Sequence, residues 1–145
     1  MSLGGLATVF GMWWVYFDQQ SGQWLTDNRV AFVWGYGHLL VFGAVASVGA
    51  GLAVLVDQAS GTTHISALAA GCAMATPVAV FLAVVWYLHI RPGHPSGTIA
   101  VMFLGAAGLV LLAPLTGLTA PVIGAVMVAL VVGYTHATRT GLPAG

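Results

Sequence analysis

The sequence contains no lysine and no glutamate, and only 4% of its 145 residues carry a formal charge. A soluble domain has about 25% charged residues, because a water-facing surface requires them. The net charge of zero also leaves no basic surface for nucleic acid and no basic run for anionic lipid headgroups. The composition therefore excludes a soluble domain and predicts a protein whose main partner is membrane lipid, with no nucleic acid.

Sequence patterns typical of enzymes are also absent. The single cysteine, Cys72, lies in an apolar run and cannot form an intramolecular disulfide. GxSxG, HExxH, CxxC and the phosphate-binding P-loop do not occur. The absence of glutamate removes one of the usual proton-carrying and metal-binding groups of membrane proteins. We therefore expect no enzyme, no cofactor and no metal centre.

The sequence does contain a series of long apolar runs, which are separated by charged residues or by proline and glycine. An apolar helix needs about 20 residues to cross a bilayer. The runs predict an all-α, polytopic transmembrane helical bundle of about five spans, forming one domain over residues 1–145. The predicted spans are 3–17, 30–56, 65–90, 98–115 and 118–137. The first is short, since about 16 residues extend only about 25 Å.

The arginines predict the orientation of the chain in the membrane. Arg29, Arg91 and Arg139 lie in the three segments that five spans place on one side. Basic residues favour the cytoplasmic side, and most tryptophan and tyrosine rings lie toward the same end of their helices. The sequence therefore predicts an N-terminus outside the cell and a cytoplasmic C-terminus.

Small residues recur every four positions in three of the spans, at 43–51, 67–83 and 117–137. Lipid tails provide no hydrophobic force between helices, so such stripes are typical of close helix packing. We expect them to be packing seams, both within the chain and against a second copy or another membrane chain.

Polar groups gather toward the arginine side of the predicted bundle. Asp18 ends the first span, and His38 lies about two turns into the second, roughly 12 Å along the axis from Arg29. Groups near helix ends are explained by interfacial anchoring, whereas a deeper histidine is a functional candidate. The other candidates on this side are Tyr16, Tyr36, His89, Arg91 and His136.

We expect Asp18 and His38 to form the polar centre, because one short loop joins the antiparallel spans that carry them. A carboxylate and an imidazole in contact, directly or through a water, would relay a proton or a cation. The alternative is that Asp18 caps the interface and His38 hydrogen-bonds a backbone carbonyl or a tyrosine such as Tyr16.

Two further classes of protein remain open. In a redox protein, histidines from three helices would bind haem or a metal. His89 and His136 are predicted at similar depth and His38 is deeper, so a shared haem would require tilted helices. In a structural or assembly subunit, the small-residue seams would be the functional feature and no chemistry would occur.

Two segments resemble the low temperature requirement protein A family of bacterial membrane proteins. Residues 13–18 match its W-W-x-Y-F-D signature, and residues 36–49 match its next helix, a Y-x-H followed by an apolar run punctuated by glycine. The resemblance implies a multi-pass inner-membrane protein, working in transport or as a cation-handling module, with no established catalytic residues. The motif positions are Trp13, Trp14, Tyr16, Phe17, Asp18 and His38.

The sequence departs from this family in two respects. Family members are longer and carry an E-L-F-F-D-L-V-type motif in an N-terminal half, and this motif is absent here. Gly49, Ala50 and Gly51 also stand where an acidic residue is expected. The resemblance thus implies a counterpart of the C-terminal half, which we expect to form a homo-oligomer or to pair with a second membrane chain that supplies the missing half.

Overall fold

The computed structural model describes residues 2–18, 28–91 and 96–140, apart from the side chains of Ser2 and of residues 29–31. These residues form five α-helices, in which a π-helical turn at Trp86–Ile90 extends α3 and a 3-10 turn at Ala113–Thr116 extends α4. The helices are α1 (Ser2–Phe17), α2 (Asn28–Ala59), α3 (Ala67–Val85), α4 (Gly97–Leu112) and α5 (Thr119–Arg139). The predicted all-α bundle is confirmed.

Four helical segments are long and apolar enough to cross a membrane, and α1 is a shorter apolar helix. The four long segments and α1 agree with the five predicted spans except at a few helix ends. The second span was predicted to stop before Asp57, but α2 continues to Ala59 because a single carboxylate near a helix end can reach headgroups or water. The four long segments are Phe32–Ala59, Ala67–Ile90, Gly97–Thr116 and Thr119–Arg139.

A tight turn joins α4 to α5 where the sequence predicted it. Gly117 has a φ of 70°, a left-handed conformation that glycine adopts without steric penalty. The Thr116 hydroxyl donates to the Ala113 carbonyl and accepts from the Leu118 N–H. These bonds replace the helical hydrogen bonds that are lost at the turn, and α5 runs back antiparallel to α4.

Consecutive helices pack together from α2 to α5, but the partner of α1 departs from the order of the chain. α1 packs chiefly against α5, and α2 packs chiefly against α3. α1 and α2 are consecutive but are not among the extensively packed pairs. Glycines explain this pairing, because Gly4 and Gly124 bring the backbones of α1 and α5 together, and Gly51 does the same for α2 and α3.

The small-residue stripes differ in their role. In α3, Gly71, Ala75 and Ala79 are buried, so this stripe is a packing seam as expected. In α5, Ala125 and Ala129 face outward, and the buried seam runs instead through the neighbouring positions that include Ala120, Gly124 and Met127. A spacing of four residues identifies a helix face but does not identify the side of the bundle that it occupies.

Candidate functional site

His38 is one of the few buried polar side chains of the bundle, with 8% of its surface exposed. Its Nδ1 lies 2.7 Å from the carbonyl oxygen of Trp34, one helical turn earlier. A carbonyl oxygen only accepts hydrogen bonds, so Nδ1 must carry the hydrogen. In the neutral ring, Nε2 then holds the lone pair.

His89 lies in the π-helical turn that follows α3, and only 4% of its surface is exposed. The wide turn is closed by the Arg91 N–H, which donates to the Trp86 carbonyl oxygen five residues earlier at 2.8 Å. A π turn holds an additional residue per turn and is frequent at functional sites. It therefore changes the direction of His89 from that of a continuous α-helix.

The two histidines face each other across the α2–α3 contact. Their ring centroids are 5.0 Å apart, and the ring planes are inclined at 61°. The adjacent residues explain the close approach, since Leu88 packs directly against the α2 backbone at Gly37, where there is no side chain. We call these two residues the histidine pair.

Aromatic rings from two helices enclose the histidine pair. The Tyr16 ring centroid lies 5.4 Å from that of His89 and 6.1 Å from that of His38. The Trp34 ring lies 4.0 Å from His38 and 6.2 Å from His89, centroid to centroid. Phe42 follows His38 by one helical turn on α2, and the centroids of their rings are 6.0 Å apart. The pair therefore has aromatic and not carboxylate neighbours in the described part of the chain.

Most of the nitrogen atoms in this cluster lack hydrogen-bond partners among the described residues. They are Nε1 of Trp34, Nε2 of His38, and both ring nitrogens of His89. A buried polar group without a partner costs about 1–3 kcal/mol. Because native proteins avoid such groups, each one requires an explanation, such as bound solvent, an ion or a functional role.

An apolar groove lies beside the histidine pair, between α1 and α2. Its volume is about 440 Å³, and Phe81 of α3 lines its inner side. Tyr16 and Phe42 belong both to this groove and to the rings around His38. The groove exists because α1 packs on α5 and leaves α2 uncovered on this side.

The structure brings together only some of the residues predicted from the sequence. Tyr16, His38 and His89 converge, whereas Asp18 is exposed just after α1 and is not one of the groups around His38. Three other candidates, Tyr36, Arg91 and His136, also face outward. The Tyr36 ring packs against that of Phe32, with centroids 4.4 Å apart. The Arg91 guanidinium lies 5.4 Å from the centroid of the Tyr87 ring.

The remaining motif residues have an interfacial character. Trp13, Trp14 and Phe17 all project from the bundle, and the rings of Trp13 and Phe17 have centroids 5.5 Å apart. Exposed aromatic rings at a helix end favour the headgroup level of a membrane. The motif of residues 13–18 therefore combines outward-facing aromatic rings with one residue, Tyr16, that faces the histidine pair.

Sequence reasoning overlooked Trp34 and underestimated His89. Trp34 precedes His38 by four residues, and that spacing alone indicates that its carbonyl is near the imidazole. The π turn at His89 has no recognisable sequence signal. The hydrogen bond to a backbone carbonyl agrees with the alternative role that the sequence left open for His38.

The geometry argues against a haem between the two rings. Axial imidazoles on opposite sides of one iron would have centroids about 6 Å apart and in line, with a porphyrin between them. The 5.0 Å separation is too short for that arrangement. Among the described residues, no group of three histidine, cysteine, aspartate or glutamate side chains could hold a metal ion.

The family model described as bacterial low temperature requirement A protein (LtrA) matches residues 1–135. No curated protein and no solved structure matches the chain.

Proposed function

The chain belongs to the bacterial low temperature requirement A (LtrA) family of membrane proteins, and we propose that it is a proton-handling membrane module centred on the histidine pair. The observation that carries this proposal is the burial of two imidazoles, on α2 and at the end of α3, with three of their four ring nitrogens unpartnered among the described residues. Ionisable groups inside a membrane are functional candidates because they are costly to keep there.

The tautomer of His38 defines the proton-accepting atom. Nδ1–H is held by the Trp34 carbonyl, so a proton can be taken only at Nε2. The resulting imidazolium donates from both nitrogens, and His89 offers one lone pair and one N–H in its neutral form. Tyr16, half-buried near the end of α1, places its ring 5.4 Å from that of His89, centroid to centroid. Transfer between the two imidazoles, directly or through one water, is the proposed step.

We expect His38→Gln and His89→Gln each to reduce proton flux at least tenfold, because glutamine keeps a polar side chain but cannot take up a proton. The measurement is the response of a pH-sensitive dye inside liposomes that contain the purified chain, under an imposed potassium diffusion potential. His136→Gln is the matched control, since His136 faces outward on α5. Wild-type flux no greater than that of empty liposomes would refute the proposal.

The same assay separates the two possible polar centres. A relay through Asp18 and His38 predicts that Asp18→Asn abolishes flux. A relay through the histidine pair predicts that this variant keeps it, because Asp18 is exposed. If both histidine variants keep their proton flux, neither the Asp18–His38 relay nor the histidine pair carries the proton.

We also propose that the chain lies in the inner membrane with its N-terminus outside and its C-terminus in the cytoplasm. The support is the placement of Arg91 and Arg139 at the ends of α3 and α5, together with Arg29 at the start of α2. A fluorescent protein fused after Gly145 should be bright, and alkaline phosphatase at the same position should be inactive. A dark fluorescent protein together with an active alkaline phosphatase would contradict the proposed orientation.

A structural or assembly role is the second candidate. Small residues face outward on two helices, at Gly43 and Ser47 of α2 and at Ala125 and Ala129 of α5. Such faces favour close packing with a second copy or with another membrane chain. This candidate predicts no flux from any form of the protein, together with an oligomer or a hetero-complex in mild detergent.

A further inference from the structure

We propose that the apolar groove between α1 and α2 binds one molecule of a phospholipid that carries an ammonium group, phosphatidylethanolamine. An acyl chain fills the groove, and the headgroup lies at the arginine-side end of it. The inference does not depend on the proposed proton function, because neither member of the histidine pair is among the residues that line the groove. It rests on the size of the groove, the side chains of its walls, and two charges of opposite sign at its end.

The groove has the dimensions of a single lipid chain. Its walls come from residues 9–17 of α1 and residues 41–49 of α2, so it extends about 12 Å along the helices. One leaflet contains about 15 Å of hydrocarbon, half of the bilayer core. A helix about 10 Å wide and of the same length would need roughly twice the volume of about 440 Å³ that the groove offers. The groove therefore fits a thin, flexible chain.

The side chains of the walls also favour a lipid chain over a helix. All the described lining residues are aliphatic or aromatic except Gly49. Transmembrane helices associate through small residues, which let their backbones approach closely. The outward-facing small residues of α2 at Gly43 and Ser47 do not line the groove. The groove thus lacks the surface that a second helix would use.

Aromatic rings mark the end of the groove at which the headgroup lies. Trp13, Tyr16 and Phe17 line it along the last turns of α1. Such rings favour the headgroup level of a membrane. This end is on the arginine side of the bundle, so the bound lipid belongs to that leaflet.

Two charges of opposite sign lie at the same end. The rings of Tyr16 and His89 have centroids 5.4 Å apart, and Asp18 and Arg91 each follow two residues later. Because α1 and α3 run in the same direction, both charges lie at about the same level, just beyond the last helical residues. Both are exposed, and neither has an ion-pair partner among the described residues.

These two charges select the headgroup. A guanidinium forms strong charge-assisted hydrogen bonds with a phosphate, so Arg91 holds the phosphate. The Asp18 carboxylate accepts hydrogen bonds from the ammonium group of ethanolamine. Phosphatidylglycerol has no ammonium group to pair with Asp18, and the trimethylammonium group of phosphatidylcholine has no N–H to donate. Phosphatidylethanolamine complements both charges.

The test is native mass spectrometry of the full chain, released from detergent after incubation with limiting, equal amounts of phosphatidylethanolamine and phosphatidylglycerol. The parent should retain one phosphatidylethanolamine, with at least a fivefold preference over phosphatidylglycerol. Asp18→Asn should abolish this preference and leave the binding of phosphatidylglycerol unchanged. Arg91→Gln should weaken the binding of both lipids, because both carry a phosphate.

A second pair of variants tests the groove itself. Val45→Trp should reduce lipid retention at least fivefold, because Val45 lines the groove and the indole occupies the space of the acyl chain. Val128→Trp is the matched control, since Val128 lies on α5 outside the groove and has a similar exposure of 51%, against 47% for Val45. It should retain lipid like the parent.

Equal retention by the two tryptophan variants would overturn the inference, as would a parent without preference for phosphatidylethanolamine. A protein dimer that only Val45→Trp dissociates would assign the groove to a second copy and would equally overturn it. If Val45→Trp does not fold, tryptophan fluorescence decides. One equivalent of phosphatidylethanolamine brominated in its acyl chain should quench Trp13, which lines the groove, so Trp13→Phe should lose most of the quenching. Unchanged quenching in that variant would refute the site.

Discussion

Replacement of Gly51 by alanine is expected to weaken the contact between α2 and α3 and to destabilise the bundle by about 1–3 kcal/mol, the usual range for overpacking. A Cβ atom at this position would lie 2.5 Å from the Ala73 carbonyl oxygen and 2.7 Å from the Cα of Met74. Both are backbone atoms, which cannot rotate away as a side chain can. The two helices must therefore move apart.

Gly43→Ala is the matched control for this substitution. Gly43 lies on the same helix, and a Cβ there would meet no atom within 4 Å. Both variants exchange glycine for alanine, so they gain about the same intrinsic helix propensity, roughly 1 kcal/mol. The difference between their unfolding midpoints, measured by circular dichroism in detergent during heating, isolates the packing effect. Equal midpoints would show that α2 and α3 do not meet at Gly51.

The same variant links the packing of the helices to the histidine pair. α2 carries both Gly51 and His38, and the extension of α3 carries His89, so a displacement of α2 from α3 at Gly51 also acts on the histidine pair. Displacement of one helix by even 1 Å would change that separation from 5.0 Å. We therefore expect the variant that destabilises the bundle also to weaken any activity of the pair, while Gly43→Ala leaves it intact.

The helices themselves were predictable from the sequence because the bilayer imposes a simple requirement. Long apolar runs bounded by charged residues or by proline and glycine can only be spanning helices, and α3, α4 and α5 follow the predicted runs closely. The turn at Gly117 was equally clear, since the predicted spans 98–115 and 118–137 leave only two residues between them. These features depend on local sequence, and a single chain shows them directly.

The choice of helix partners was not predictable in the same way. A short connection favours neighbouring helices, which led to the expectation that α1 and α2 pack together. In the structure, α1 packs instead on α5, because the glycines at that crossing allow closer backbone approach than α2 offers. Many glycines occur in this sequence, and only the fold shows which of them face another backbone.

The candidate site was found in part. His38 stood out because it lies deep in an apolar run, and Tyr16 belongs to a recognisable motif. His89 seemed an interfacial residue, because the α-helical rise places it near the end of its span, and the π turn that directs it toward His38 left no trace in the sequence. Asp18 was selected because one short loop joins its span to that of His38, but chain connectivity does not determine the direction of a side chain.

Alanine at Gly4 or at Gly124 is expected to separate α1 from α5, with a loss of stability of about 1–3 kcal/mol for each. A Cβ at Gly4 would collide with the carbonyl group of Ala120, and a Cβ at Gly124 would lie 2.8 Å from the Gly4 carbonyl oxygen. The two glycines thus form one crossing, at which backbone meets backbone. Gly105→Ala and Gly108→Ala in α4 are the controls, since a Cβ at either position has open space.

The double variant distinguishes a shared crossing from two independent defects. Once Gly4→Ala has moved α1 away from α5, a second methyl group at Gly124 meets less resistance, because the same separation relieves both clashes. The combined destabilisation should therefore be smaller than the sum of the two single effects. Full additivity in detergent unfolding experiments would mean that the two positions act at separate contacts. Because α1 also carries Tyr16, a displaced α1 should remove the tyrosine ring from the histidine pair while His38 and His89 stay together on α2 and α3.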